Sequence, residues 1–404
     1  MKKILFFVPT FSNLSETFIL REINEIDKRN KLDIHIVSLK EGKAQLPDNL
    51  KYKVTFIPLG YSDLLPSVSF LFKNFIQISK VSYKFLKTSD DSIFRNIKNL
   101  FKGIMYSYKL SKFHFDQIHI HFMSDISTII SISSLILKKS FSISGHARDI
   151  FVDGSAVSFK VKNAKFVTLC NTKAFLKCIE LSGGKGRKNI VLGFHGLDHK
   201  NYEFKERKFK STSKLNILTD GRFTLKKGLI PLSEAIVTLI KEYDFKINFT
   251  IIGLAIGEDQ EKILNEVKNI FKKAKLYENL EIPGNGQGIQ QVEVEKYYKN
   301  ADIFIYAGIN TSLGDADGVP NGLLQAAFSG IPVITTQSGS ISDLFNEENS
   351  YIIDQDSSES IIEKFNELMF DKNVHQKASK LHKIAQENFG IEKNIKYLED
   401  LLLK

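Results

Sequence analysis

Residues 317–345 read DGVPNGLLQAAFSGIPVITTQSGSISDLF, and this stretch decides the fold class. Asp317 precedes a Gly/Pro/Asn turn, Gly318 to Gly322, and a helix of small residues follows. A Gly-Ile-Pro break, a β-branched strand from Val333 to Thr336 and a Gly/Ser turn complete the unit. Two polar side chains, Asp317 and Gln325, bracket the helix start, with the backbone amides of Asn321, Gly322 and Leu323 between them. Open amides at a helix N-terminus bind anions. Flanking hydrogen-bonding side chains beside a diphosphate suit sugar hydroxyls, so the segment fits a nucleotide sugar. The plainer alternative is a βα unit in which Asp317 caps a turn and Gln325 sits on an exposed helix face.

The segment resembles the donor-binding signature of retaining glycosyltransferases of family 4, which have the two-domain GT-B fold. That family typically carries Glu, seven residues, then Glu; the matching positions here are Asp317 and Gln325. Asp still accepts bonds from sugar hydroxyls with a shorter reach. Gln bonds ribose hydroxyls without charge. The resemblance implies Asp317 at the transferred sugar, Gln325 at the ribose, and the amides of Asn321, Gly322 and Leu323 at the diphosphate.

Upstream, Leu215 to Thr219 reads as a buried strand running into Asp220-Gly221-Arg222, and Lys226-Lys227-Gly228 leads into a helical pattern at Leu229, Leu232, Ala235, Ile236 and Leu239. Arg222 and Lys227 therefore share one strand-to-helix loop, at the sheet edge where open α/β folds bind ligands. The resemblance implies that both contact the diphosphate. Arg grips phosphate oxygens bidentately, Lys adds a point charge, and together they offset the charge growing on a leaving diphosphate. Lys226 is expected to be a solvated surface charge.

A second α/β half precedes this one. Lys3 to Pro9 and Ile34 to Leu39 read as strands around an amphipathic helix, Glu16 to Lys28, capped by Ser15. The turn before that helix lacks the glycine pair many family members carry. SETFI, from Ser15 to Ile19, resembles the branch associated with bacterial exopolysaccharide and lipopolysaccharide assembly. Gln117 to Phe122 and Ser140 to Ser144 are strand candidates, and GHARD, Gly145 to Asp149, ends the second. The resemblance implies that His146 contacts the transferred sugar, with Ser12, Arg148 and Asp149 on the acceptor side. HGLD, His195 to Asp198, resembles the family's Asn-Gly-Ile/Val-Asp signature with His for Asn, and is expected to form an interdomain turn. Lys200 to Lys214 reads as a polar linker. Ile282 to Gly288 is expected to line the base pocket.

The fold class implied is α/β, GT-B: two Rossmann-like domains whose parallel sheets face across a cleft holding the active site. The domains are expected at 1–205, acceptor side, and 206–387, donor side, with a final helix within 388–404 packing back on the first. A chain of 404 residues with 43% hydrophobic content supports two cores. Cys170 and Cys178 are the only cysteines, too few for a disulfide framework, so a reducing cytoplasm is expected. The opening MKKILFFVPTF reads as a first strand rather than a signal peptide. No run reaches the roughly 18 apolar residues of a membrane span, and a soluble chain is expected.

The net charge of +10 is uneven. Leu64 to Phe115 carries nine Lys/Arg against Asp90 and Asp91, interleaved with aromatics such as Phe72, Phe75, Tyr83 and Phe94. That pattern fits either an interfacial surface for an anionic membrane or solvated Lys residues on helices whose aromatics pack inward. No nucleic-acid module accompanies the charge. His114, His119 and His121 lack a fourth metal ligand, and Asp315-Ala316-Asp317 mimics a DxD motif in the wrong setting; no metal or other cofactor is expected.

The activity implied is transfer of a sugar, with retention, from a nucleotide-diphosphate sugar to a hydroxyl of a glycan or lipid-linked glycan. The alternatives are an inactive nucleotide-sugar-binding protein and a sugar-nucleotide epimerase of the same fold.

Overall fold

The computed structural model describes residues 1–404 except 14–15, 44, 59–63, 153, 185, 208–212 and 311–317, and gives the backbone alone at 17, 64–67, 147–148 and 201. The chain divides into two compact units, Met1–His195 with Asn394–Lys404, and Gly196–Lys393.

The first unit is built on seven strands: β1 (Lys2–Phe11), β2 (Leu32–Glu41), β3 (Val54–Phe56), β4 (Gln117–His121), β5 (Ser140–Gly145), β6 (Val167–Leu169) and β7 (Ile190–Leu192). They form one parallel sheet in the order β3-β2-β1-β4-β5-β6-β7. Strand β1 is apolar on both faces, with Ile4 to Val8 all buried, whereas β4, β5 and β6 alternate buried Ile118, Ile120, Phe141, Ile143, Val167 and Leu169 with buried polar Gln117, His119, His121, Ser142, Ser144 and Thr168. A parallel sheet of this kind is covered on both faces, so β1 reads as a continuous apolar run, and the polar residues of β4 to β6 are buried on the second face. The order reverses between β1 and β4, and ligands bind outside the carboxyl ends of strands at such a switch point. Ser12 lies immediately beyond β1, and His146 immediately beyond β5.

The second unit repeats the design with β8 (Leu215–Asp220), β9 (Ile247–Ile252), β10 (Leu280–Glu281), β11 (Ile303–Tyr306), β12 (Val333–Thr335) and β13 (Tyr351–Ile352). The sheet is parallel, in the order β10-β9-β8-β11-β12-β13, and its switch point falls between β8 and β11. Helix Leu229–Lys241 packs Leu232, Ala235, Ile236 and Leu239 onto Ile217, Phe249 and Ile303. Its apolar residues recur at helical spacing, which is why that face could be read in the sequence. Both sheets are those of Rossmann-like domains.

One expectation needs correction. The polar stretch after Lys200 is not a free linker among its described residues. Arg207 is only 4% exposed, and its guanidinium donates to the carbonyls of Ala301, Ser329 and Tyr298 at 2.7–3.1 Å. It ties the segment to the amino edge of β11. Ser15, expected to cap the first helix, lies outside the described residues, and Glu16 at the cap position makes no side-chain capping bond.

The basic, aromatic segment forms helices Leu64–Lys73, Phe75–Thr88 and Ile93–Leu110. Its aromatics divide. Phe85 is buried edge-on against Phe159, and Tyr106 is buried with its hydroxyl on the Ile57 carbonyl. Phe72, Phe75, Ile76, Tyr83, Phe94 and Ile97 stand exposed, Phe94 by 84%, beside the exposed Lys73, Lys80, Lys84 and Lys87. Among the described residues no helix is long and apolar enough to cross a membrane.

Candidate functional site

In the second unit the loop after β8 is shaped by anchors on either side of its cations. Phe223 is fully buried and donates its N–H to the Leu254 carbonyl at 3.2 Å. That anchor turns Arg222 outward, where its side chain is exposed. Lys227 is half-buried, with Nζ 4.9 Å above the Tyr306 ring and 3.4 Å from its hydroxyl. Tyr306 ends β11, so the ring carries the Lys227 ammonium to the switch point. Gly228 closes the loop with φ +61, and a Cβ there would lie 1.9 Å from the Ala307 carbonyl oxygen. Only glycine fits the conformation and the space.

Helix Asn321–Phe328 starts after Pro320, which offers no side-chain cap. Asn321 is exposed, while Gly322 and Leu323 are buried. The Asp220 carboxylate lies against this first turn: a Cβ on Gly322 would sit 1.9 Å from Asp220 Oδ1. The same carboxylate accepts the Tyr298 hydroxyl at 2.7 Å. A charge-assisted bond of this kind contributes about 1.5–3 kcal/mol. Burial first, then the Asp220 charge, pushes the Tyr298 hydroxyl far above its usual range. One turn along, Gln325 is 6% exposed and its Oε1 has no hydrogen-bond partner among the described residues. An unsatisfied buried acceptor costs about 1–3 kcal/mol, which a ligand donor would recover. Gln325 is therefore not the surface glutamine of the plainer reading. Asp317 and the Asp315-Ala316-Asp317 mimic fall outside the described residues.

Asp220, Tyr298 and Tyr306 were missed by the sequence reading. Asp220 had one available signal, an acid directly before the Gly-Arg of the loop. Nothing local marks either tyrosine, since both read as ordinary aromatics of a helix and a strand.

In the first unit the loops after β5, β6 and β7 bring His146, Cys170 and His195 together, with metal-capable atoms within 4.8 Å of one another. His146 is 7% exposed. Its Nδ1 is 2.9 Å from His195 Nε2, and the two rings stack at 4.9 Å with 22° between planes. His195, expected only to shape a turn, is thus a direct partner of His146. Phe18 and Phe122 pack on the His146 ring at 4.9 and 4.8 Å, and the His121 ring lies parallel at 5.8 Å. His146 Nε2 has no partner among the described residues. Burial, then neighbouring imidazoles, holds His146 well below the usual range, and burial lowers His195 to about 4. Both rings are neutral near pH 7.

Asp149, expected on the acceptor side, faces inward. It is 3% exposed, accepts the His146 backbone N–H at 2.7 Å, and takes the Met123 backbone N–H on its other oxygen. Burial pushes it up to about 7. Its carboxylate fixes the turn that presents His146 and is not open to an acceptor. The Arg148 side chain lies outside the described residues. Ser12 is buried in a left-handed conformation, φ +67, uncommon for a residue with a Cβ and a mark of a constrained loop.

His119 and His121 do not join His114 as a metal set. His119 bonds Ser142 and Ser144 through both ring nitrogens at 2.8 and 2.9 Å. His121 Nε2 lies 3.6 Å from Glu22 Oε1 instead. Burial pushes Glu22 up to about 8. Unfolded glutamate titrates near about 4.3, so the native chain keeps a proton that the unfolded chain has lost between those values. Stability from this group is present below about pH 4.3 and falls as pH rises towards 8, by about 1.4 kcal/mol per unit. Glu22→Gln should remove that share of the slope. Urea denaturation of both proteins at about pH 5 and about pH 8 tests it, and equal slopes would contradict it.

Comparison with known proteins places this geometry. Residues 201–388 match the family model described as "Glycosyl transferases group 1". The chain is 28% identical over 167 residues to the putative colanic acid biosynthesis glycosyltransferase WcaL of Escherichia coli K12, which covers 41% of this chain and 38% of WcaL. It is 29% identical over 136 residues to the amylovoran biosynthesis glycosyltransferase AmsK of Erwinia amylovora, covering 34% of this chain and 31% of AmsK. The chain thus spans under two fifths of the length of these curated relatives. Anabaena HepE, solved in complex with UDP, superposes with a TM-score of 0.71 over 100% of this chain and 99% of its own, at 12% identity. That likeness shows the fold, two Rossmann-like domains.

Proposed function

We propose that the chain is a glycosyltransferase that moves a sugar from a nucleotide-diphosphate donor to a hydroxyl of a glycan or lipid-linked glycan, with retention, in bacterial exopolysaccharide synthesis. The observation that carries this reading is the convergence in the second unit. Arg222, Lys227, the first-turn amides of helix Asn321–Phe328 and the unsatisfied Gln325 carbonyl gather at the carboxyl ends of β8 and β11. The family match over residues 201–388 and the relatives' roles in colanic acid and amylovoran synthesis support the same class.

In this reading Arg222 and Lys227 hold the diphosphate and offset the charge it gains as the anomeric carbon–oxygen bond breaks. Gln325 bonds the ribose, and Asp317 accepts bonds from hydroxyls of the transferred sugar. His146 meets that sugar as a neutral hydrogen-bonding group. The acceptor hydroxyl forms the new bond on the face the diphosphate leaves, and its proton passes to the departing phosphate oxygen. No second carboxylate is required, unlike a retaining glycosidase. Asp220 lies beside the diphosphate position, and its link to Tyr298 draws its charge away from the anion.

The test is incubation with a panel of nucleotide sugars and lipid-linked acceptors from bacterial membranes, with the product's anomeric configuration read by NMR. Acceptor-dependent release of a nucleoside diphosphate and a product of retained configuration are expected. Donor binding without transfer or hydrolysis would reduce the chain to a binding protein.

The exposed aromatic and basic residues of Leu64–Leu110 support contact with an anionic membrane. Flotation with vesicles containing phosphatidylglycerol should capture the protein at low salt and release it as salt rises. Replacing Lys73, Lys80, Lys84 and Lys87 together with Gln should weaken capture without unfolding the chain. A wild-type protein that stays free of such vesicles would leave these lysines as a solvated face.

A further inference from the structure

We propose that His146, Cys170 and His195 form a binding site for one soft divalent transition-metal ion of the Zn²⁺ type. The consequence is inhibition, because an ion held there draws His146 from its place. The site itself stands on geometry, whereas the inhibition rests on the proposed role of His146.

The three side chains come from the loops after β5, β6 and β7, which are neighbouring strands of the first sheet. Their metal-capable atoms, one from each residue, all lie within 4.8 Å of one another. A tetrahedral zinc ion bonds nitrogen at about 2.0–2.1 Å and sulfur at about 2.3 Å, which sets its ligand atoms about 3.3–3.6 Å apart. Closing the set therefore takes a side-chain shift of roughly 1 Å. The imidazole pair is already at hand, with His146 Nδ1 2.9 Å from His195 Nε2. An ion entering between these nitrogens replaces the proton they share, whichever ring carries it. Each ring then keeps one proton on its outer nitrogen, so the site is indifferent to the starting tautomer.

Cys170 supplies the charge and the softness. It is in no disulfide, and its thiol proton passes to solvent as the metal–sulfur bond forms. Asn171 holds the sulfur from outside. The Asn171 Oδ1 accepts the Ala174 N–H at 2.8 Å as the cap of helix Thr172–Leu181, which leaves its amide nitrogen to donate to Cys170 Sγ at 3.4 Å. Outer partners of this kind orient a ligand and tune the metal. Phe18 gives the pair an apolar wall, at 4.9 Å from His146 and 4.4 Å from His195. Among the described residues no fourth His, Cys or carboxylate joins the group, so one coordination position is left for water. Two imidazoles and a thiolate select Zn²⁺ or Co²⁺ over Mg²⁺ and Ca²⁺, which take oxygen ligands. Glu22, His119 and His121 form a poorer set, since His119 spends both ring nitrogens on Ser142 and Ser144.

Cobalt is the probe, because a sulfur-to-cobalt charge-transfer band in the near ultraviolet reports a thiolate ligand. Reduced, chelator-treated wild type titrated anaerobically with CoCl₂ should show this band saturating at one equivalent. Zn²⁺ should displace it and excess Mg²⁺ should not. Cys170→Ser should abolish the band, whereas Cys178→Ser should keep it, since Cys178 is fully buried in the core. His195→Gln should weaken Co²⁺ binding by at least about a hundredfold, beyond the ten- to hundredfold that losing an outer partner costs. If that variant does not fold by circular dichroism, the two cysteine variants decide. In transfer assays one equivalent of Zn²⁺ should lower the rate by about ten- to a hundredfold, the scale of a group displaced by about 1 Å, and EDTA should restore it. No stoichiometric band in wild type, or a band that survives Cys170→Ser, overturns the site. A bound ion that leaves transfer unchanged overturns the inhibition. The cobalt spectra need no turnover, so failure of the transferase reading and failure of the metal site are separable.

Discussion

Arg222→Ala should lower the rate of sugar transfer by at least about a hundredfold, the scale of losing one charge-stabilising donor in an active site. Arg222 is turned out of the loop after β8 by the buried Phe223 and stands exposed at the switch point of the second sheet. Its charge is therefore available for a ligand. Lys227 cannot replace it, because an ammonium on the Tyr306 ring is a point charge and lacks the planar fork that grips two phosphate oxygens. Arg222→Lys should keep charge and lose the fork, falling between wild type and Ala. The fold should be unaffected, since the side chain is exposed. Initial rates of nucleoside diphosphate release, with circular dichroism to confirm folding, provide the check. Near wild-type turnover in Arg222→Ala would remove this residue from the site.

Gly228→Ala should be the most damaging single methyl in the second unit. The residue sits at φ +61, and the added Cβ would fall 1.9 Å from the Ala307 backbone oxygen. A backbone carbonyl cannot step aside as a flexible side chain can. The neighbouring bond from Ile309 N–H to the Lys226 carbonyl, at 2.9 Å, ties the same loop to the chain after β11. Left-handed strain of about 1–2 kcal/mol adds to overpacking of about 1–3 kcal/mol, for a total of about 2–5 kcal/mol. In a unit of this size that lowers Tm by roughly 5–15 °C. Calorimetric melting would test it, and an unchanged Tm would mean that the loop is looser than described. Donor affinity should fall with it, because the displaced loop carries Lys227.

The longer strands, the two α/β halves and the Arg222–Lys227 loop were legible in the sequence because each is encoded locally, whereas short strands such as β3, β6, β10 and β13 were not read. Continuous apolar runs such as Ile4 to Val8 mark strands buried on both faces, and helical spacing from Leu229 to Leu239 marks one face of a helix. The helix at Asn321 was visible through its turn residues and small side chains. The partners of these elements were not. His195 meets His146 across 49 residues because β6 lies between β5 and β7 in the sheet, and no periodicity reports such an adjacency. HGLD therefore looked like a turn. Asp220 reaches Gly322 because glycine leaves space for a carboxylate, a fact about the facing element rather than about Asp220. Arg207 looked like linker charge, since a polar, aperiodic stretch carries no mark of the carbonyls it will meet. Asp149 misled in the opposite way: a polar residue near a site is read as facing the ligand, yet its carboxylate satisfies two buried amides.

The most direct measurement is isothermal calorimetry of free nucleoside diphosphates and intact nucleotide sugars against wild type, Gln325→Ala and Gln325→Glu. The account predicts that wild type binds at least one such diphosphate and its sugar conjugate. Gln325→Ala should weaken both by about 0.5–1.5 kcal/mol, the net worth of an ordinary hydrogen bond. Gln325→Glu should bind at least as well as wild type, since an ionised acceptor strengthens hydroxyl contacts. A wild-type protein that takes up no nucleoside diphosphate or nucleotide sugar, or a Gln325→Ala protein that binds both unchanged, would contradict the placement of a nucleotide sugar at the start of helix Asn321–Phe328.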